Sequence, residues 1–299
     1  MKKLLLLGLI FISVTAYSQN DTIKYWKTEG KMSLNFSQSY FSNWSAGGEN
    51  SLTAIGKYTM KANYKKKKHS WNNWIDLAFG YNLIGKSDPM KTEDKIEFIT
   101  SYNYDLKKNW QFSTILTFKS QFAKGYEYSK DSTNSISGFM APAYIDFGPG
   151  ITYKPSDHFM VNFSPVTPRW IVVLDQDLAN QGAFGLNPAD TVNGAVQNAK
   201  QVKSQFGAKL LMAVNYEVAK NVNVASKLEL FSDYLDNPQN IDVNWQVLVE
   251  LKVNSWLNVS FSTELIYDDD VIIKDANDVA LGPRTQFKQM LMIGVGYTF

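Results

Sequence analysis

The chain has 299 residues, 14% of them aromatic, no cysteine, and 30 basic against 28 acidic side chains. Without cysteine there is no disulfide framework, thiolate metal site, thiol nucleophile or cysteine-borne lipid. The near-zero net charge argues against nucleic acid as a partner, and the aromatic content argues against disorder.

Met1-Lys2-Lys3, the apolar run 4–12 and the small residues Ala16 and Ser18 read as a secretory signal over residues 1–18, cleaved after Ser18. Its apolar core is too short to cross a bilayer as a helix. Residues 19–29 are expected to form a periplasmic lead, and residues 30–299 a single domain.

From residue 52 to 64 the even positions are Leu52, Ala54, Gly56, Tyr58, Met60, Ala62 and Tyr64, with Lys57 and Lys61 among the odd ones. From 241 to 253 every odd position is apolar. A 3.6-residue period would mix these sets within one turn, so the pattern belongs to strands. It recurs at 30–41, 71–84, 95–106, 110–122, 205–217, 222–234, 256–267 and 285–299. Weaker copies lie at 141–154 and 159–170, where Pro142, Pro149, Pro165 and Pro168 interrupt. That predicts twelve strands, with the count open by two at the proline-rich pair.

Strands of soluble proteins average about 5–6 residues, whereas membrane strands need about 9–11. The predicted strands are of the longer kind. Their connections alternate, short at 65–70, 107–109, 155–158, 219–221 and 254–255 and mostly longer near 42–49, 85–94, 123–140, 171–200, 235–240 and 268–284. Aromatics such as Trp71, Tyr104, Trp110 and Tyr216 mark one set of strand ends, and Tyr81, Phe122, Tyr234 and Phe287 the other. These are the interfacial girdles of a membrane barrel. The expected fold is all-β: a 12-stranded antiparallel transmembrane β-barrel with short periplasmic turns and longer outer loops. Phe299, closing an alternating strand, is similar to the C-terminal assembly signal of outer-membrane barrels.

Several stretches resemble a family of Bacteroidota outer-membrane proteins known as domain of unknown function 3078. They are Gln38 to Leu52, with its Asn-Trp-x-x-Gly-Gly-x-Asn element, Leu178 to Gly185, Asp242-Val243-Asn244-Trp245, Ile266 to Asp270 and Gln286-Phe287-Lys288. The resemblance implies an outer-membrane barrel without an established activity, and it brings no catalytic residues.

A hydrolase with a Ser–His pair needs a base within reach of its nucleophile. The two histidines, His69 and His158, fall in predicted periplasmic turns, so no catalytic residues and no enzymatic activity are expected. If the apolar sets face lipid, the lumen receives Lys57, Lys61, Asp76, Lys95, Glu97, Lys119, Asp146, Lys209, Lys227, Glu229, Glu250, Glu264 and Lys288. Seven basic and six acidic groups suit a network of ion pairs better than a selective pore. Trp74, Ile99, Ile115, Leu211, Phe231 and Met292 narrow the lumen further.

The outer connections are predominantly acidic. Asp268, Asp269 and Asp270, with Asp175 and Asp177 as further candidates, are the residues that would hold a loop-bound divalent cation; no other cofactor is expected. At the mouth, Trp44, Gly47, Gly48, Glu49, Asn50 and Phe184 are candidates for a constriction or partner contact. The 171–200 connection is expected to fold inward or to meet a partner. Two readings follow: a non-enzymatic structural or interaction barrel with a narrow or closed lumen, favoured by its balanced and bulky lining, or a weakly selective, porin-like channel for small solutes. Expected partners are outer-membrane lipid and lipopolysaccharide, the barrel-assembly machinery during insertion, and other envelope proteins.

Overall fold

The computed structural model describes residues 25–42, 45–46, 48–128, 131–192, 195–275 and 279–299. The expected signal, residues 19–24 of the expected lead, Trp44 and Gly47 lie outside the described residues. In chain order the strands are β1 (Trp26–Ser39), β2 (Ser51–Lys66), β3 (His69–Ile84), β4 (Met90–Lys107), β5 (Trp110–Ser120), β6 (Gly125–Glu127), β7 (Asp131–Ser137), β8 (Ala143–Ser156), β9 (Phe159–Val172), β10 (Asp190–Val192), β11 (Ala195–Gln197), β12 (Val202–Ala219), β13 (Val222–Asp233), β14 (Asp242–Lys252), β15 (Leu257–Tyr267), β16 (Ile272–Lys274), β17 (Ala280–Pro283) and β18 (Gln286–Thr298). Twelve of them close into one antiparallel barrel in the order β1-β18-β15-β14-β13-β12-β9-β8-β5-β4-β3-β2. The pairs β6–β7, β10–β11 and β16–β17 are small hairpins within the longer connections.

Closure joins the two ends of the sheet. β1 pairs with β18 from Lys31↔Thr298 to Phe36↔Ile293. Beyond the last pair, Gly30 N–H donates to Phe299 O at 2.8 Å and Phe299 N–H to Gly30 O at 2.9 Å. No backbone edge of the wall is left open, which is the condition for strands to sit in hydrocarbon.

Alternation then makes the molecule inside-out. Met32, Leu34 and Phe36 on β1 and Leu291, Ile293 and Val295 on β18 are exposed on the outer wall, whereas Asn35, Glu97, Thr117 and Asn162 are buried inside. An apolar wall of this extent is untenable in water and natural in lipid. Five short connections lie at one end with both termini of the barrel, and six longer ones at the other. In three of the short turns Lys67, Asn109 and Asn221 take positive φ (53°, 67° and 65°), as two-residue hairpin loops demand.

One expectation needs correction. β1 starts at Trp26, not after a lead ending at 29. Its first residues pair with β2 down to Trp26↔Tyr64, and the Trp26 ring packs 5.3 Å from Tyr64 and 5.8 Å from Trp71. Polar Lys27, Thr28 and Glu29 hid this extension from the pattern. The proline-rich pair, in contrast, forms two full strands. The β8–β9 register shifts between Asp146 and Ile151, around Pro149 and Pro165, which lack the N–H a ladder needs. The count of twelve stands.

Candidate functional site: the lumen and its mouth

Ten inward-facing side chains form one continuous ion-pair network. It starts on β3, where Asp76 meets Lys95 of β4 at 2.7 Å, and Lys95 in turn meets Glu97 at 3.0 Å. Glu97 accepts from Lys227 of β13 at 2.5 Å and lies 3.7 Å from Lys119 of β5. Lys119 and Lys209 then hold Glu229 at 2.7 and 3.0 Å. Lys209 reaches Asp146 of β8 at 2.7 Å, and Asp146 accepts from Arg169 of β9 at 2.8 Å. Arg169 ends the chain on Asp242 of β14 at 2.7 Å. Five acids answer five bases.

Some of these contacts cross the lumen. Between β4 and β13, joined by Glu97 and Lys227, four strands intervene on one side and six on the other. Between β4 and β14 five intervene on each side, and there Lys95 donates to Gln246 Oε1 at 3.3 Å. Gln246 donates onward to Glu264 at 2.9 Å. Glu264 shares Lys288 of β18 with Glu93 of β4, at 3.1 and 3.3 Å. Apolar bulk fills around the charges: Ile115, Leu211, Phe231 and Met292 are buried, the Arg169 guanidinium lies 3.5 Å from the Phe231 ring centre, and Lys227 Nζ 4.7 Å from that of Trp74. A cavity of about 330 Å³ lies on the loop side, lined by Tyr144, Asp242 and Asp268 among others, and one of about 530 Å³ on the turn side.

Of the thirteen lumen charges expected from sequence, eight enter this network, and Glu264 and Lys288 join it through Gln246. Glu250 pairs instead with Lys31 of β1. Lys57 and Lys61 form no ion pair among the described residues. Three participants were missed, Glu93, Arg169 and Asp242, and so was Lys31, the partner of Glu250. Glu93 had been placed in a loop, whereas β4 begins at Met90, and Arg169 near the end of the predicted strand 159–170, which β9 continues to Val172. Arg169 also changes face. On β9 Phe163 is exposed outward, and so are Val166 and Trp170, an odd-to-even switch that turns Arg169 inward. The extra residue is on β9 itself, where three steps from Ser164 to Thr167 oppose two from Lys209 to Gly207 on β12. An arginine on a lipid-facing position is costly, and that signal was available in the sequence.

The 171–200 connection folds over the mouth. It carries a short helix, α1 (Gln176–Asn180), capped by Asp175 accepting from the Asp177 and Leu178 N–H groups, and a 3₁₀ turn at Ala183–Gly185. Leu178, Ala179 and Leu186 are buried with Ala141, Ile171 and Val173, and Phe184 packs against this cluster. Ile171 and Tyr144 belong to strands, so the loop seals onto the barrel's own end. In the first loop Asn50 Oδ1 accepts from Phe41 N–H at 2.6 Å, and Asn50 O from Gly85 N–H at 2.7 Å. Glu49 lies beside Gly85, and Gly48 beside the Phe41 ring. These contacts shape the hairpin.

The expected cation triad is regrouped. Asp270 is taken by Lys203 at 2.5 Å and Gln205 at 3.0 Å, and Asp175 by its capping role. The carboxylates that lie within 4.8 Å of one another are those of Asp242, Asp268 and Asp269. Burial, with the charges of Asp270 and Asp269 added, holds Asp268 above the ordinary carboxylate range. Three oxygens would be a partial shell for a hard divalent cation, which takes six to eight. His69 bonds Tyr102 Oη at 2.6 Å and His158 the Asn215 carbonyl at 3.0 Å. Both lie at the turn end.

Against this geometry, comparison with known families gives one match. Residues 36–126 match the family described as Protein of unknown function (DUF3078). The matched segment runs from β1 into β6 and contains the whole of the first stretch quoted above; the other quoted stretches lie outside it. No curated protein matches the sequence. Among solved structures, the COG4313 outer membrane channel from Pseudomonas putida F1 is similar at 13% identity and a TM-score of 0.41, covering 94% of this chain and 100% of that one. The NanC porin is similar at 9% and 0.37, with 90% and 98% covered. The CymD monoaromatic hydrocarbon channel is similar at 10% and 0.33, with 91% and 87% covered. At these values the likeness extends to barrel architecture alone.

Proposed function

We propose that this chain is a non-enzymatic outer-membrane barrel that acts as a closed scaffold or interaction barrel rather than as an open pore. The observation that carries the reading is the Glu97–Lys227 pair, which ties nearly opposite walls together at 2.5 Å within a network whose charges balance. A permeant solute would have to part buried ion pairs, and a charge left partly uncompensated away from water is costly. The folded 171–200 loop adds a second cover above the network.

The test is conductance of the refolded protein in a planar bilayer, with folding verified by heat-modifiable mobility. The expected record is silent for the native sequence and shows steps for the double variant Glu97→Ala/Lys227→Ala. Steady steps from the native protein would overturn the closed reading and favour the porin-like alternative, to which the cavities on the two sides of the network would lend themselves.

A further inference from the structure

We propose that the chamber on the turn side of the network is a binding site for a small oxyanion, a carboxylate or phosphate, with Lys57 as its anchor. The chamber has a volume of about 530 Å³ and is walled by β1, β2, β3, β4, β12, β13, β14, β15 and β18. Four of the six lysines that line it have carboxylate partners. Lys31 has Glu250, Lys95 has Asp76, Lys227 has Glu97, and Lys288 has Glu93 and Glu264.

Lys57 and Lys61 are the exceptions: neither makes an ion pair or a hydrogen bond among the described residues. Both point inward from β2. In the register, Lys61 faces Glu29 on β1 and Trp74 on β3, and even so no ion pair forms with Glu29. Lys57 faces Ser33 and Ala78, neither of which carries charge. The acids nearest to Lys57, Asp76 and Glu93, are engaged with Lys95 and Lys288. Trp74 adds a buried indole N–H without an acceptor, on the wall next to Lys61.

An ammonium offers three donors and accepts nothing, so its demand is met by acceptors, chiefly oxygen. Removed from bulk solvent, it favours an oxygen that carries charge. Ser260 and Ser262 of β15 border the same space and supply hydroxyl donors to the ligand's remaining oxygens. A lysine recognises such an anion as a point charge and needs no bidentate geometry, which suits a chamber without arginine. The site faces the turn end, so it is reached from that side whether or not the network above conducts.

Calorimetric titration of the refolded protein with sodium phosphate and, separately, with disodium succinate tests this. Sodium chloride at matched ionic strength is the reference. Saturable heat is expected for at least one anion with the native sequence and with Lys66→Met, which alters an exposed lysine outside the chamber. Lys57→Met is expected to bind about tenfold more weakly or not at all, and Lys57→Arg to retain binding within about threefold. Lys57→Gln replaces Lys57→Met should the latter not fold, with the same loss expected. Heats no larger than those of chloride, or equal affinity in the native protein and the Lys57 variant, would overturn the proposal.

Discussion

The ring of Phe299 lies directly over Gly30, so that a Cβ at position 30 would sit 2.3 Å from the ring's Cζ. This contact covers the seam at which the first and last strands of the barrel meet, and it needs glycine because nothing larger fits beneath the ring. Phe299 is half exposed, so its ring has room to swing away. Gly30→Ala is therefore expected to cost about 1 kcal/mol, the low end for overpacking. The same substitution should be nearly neutral in a Phe299→Ala background. A double-mutant cycle on unfolding midpoints in detergent reads the coupling, and equal costs in both backgrounds would sink the assignment.

Glu97→Gln should be the most damaging single change in the network. Glu97 is wholly buried and faces Lys95, Lys119 and Lys227, so its neutralisation leaves three cations sharing fewer carboxylates. Breaking one partner of a buried pair costs about 3–5 kcal/mol. Lys154→Gln, which breaks an exposed pair with Asp157 at a short turn, should change the midpoint little. Urea titration of both variants separates these outcomes.

Asp268 gives a pH signature. Its folded-state pKa lies above the usual carboxylate range, chiefly through burial, so folding takes up a proton there. Below the unfolded pKa of about 4 the group is protonated in both states, and its ionisation costs the fold nothing. As the pH rises through the folded-state value, stability falls. Asp268→Asn removes that penalty and keeps an oxygen for the Asp270 N–H. Its midpoint should exceed the native one at pH 7, with the difference vanishing near pH 4. A gain equal at both pH values would refute the burial argument.

Leu178 anchors the 171–200 loop from α1 and is 4% exposed. Leu178→Ala is expected to cost about 2–5 kcal/mol, all of it confined to the loop. Limited proteolysis should then cut within 171–200 while the barrel keeps its heat-modifiable mobility. Loss of the whole barrel would show that loop and wall unfold as one unit.

The strands were legible because lipid outside and polar lumen inside impose a period of two that no other environment would sustain over such lengths. Twelve were expected and twelve close the barrel. The eight network members read from sequence were recovered by the same alternation. What escaped notice lay where local rules yield to tertiary ones. Arg169 follows the wrong face on strict counting, because the irregularity near Pro165 switches the parity of β9. Trp26 to Glu29 look like linker until β2 supplies their partners. Asp270 sits beside two other aspartates in sequence, yet Lys203 claims it, and Asp242, from the start of a different strand, takes its place in the cluster. Nothing in the alternation tells which lumen lysines find partners, so Lys57 and Lys95 look alike until the barrel closes.

The network also dictates an order of events. Glu97 and Lys227 are 130 residues apart in sequence and lie on strands that never share a hydrogen-bond ladder. They meet only after the sheet has curled far enough for its two halves to face each other. While the sheet is still open, its concave side carries charges such as Glu97 and Lys227 that lack their cross-lumen counterparts, and these are best left in water. Insertion of a flat sheet into hydrocarbon would strand them there. The wall must therefore curl before or while it enters the bilayer, and the cross-lumen pairs act as a latch that sets only on a finished cylinder.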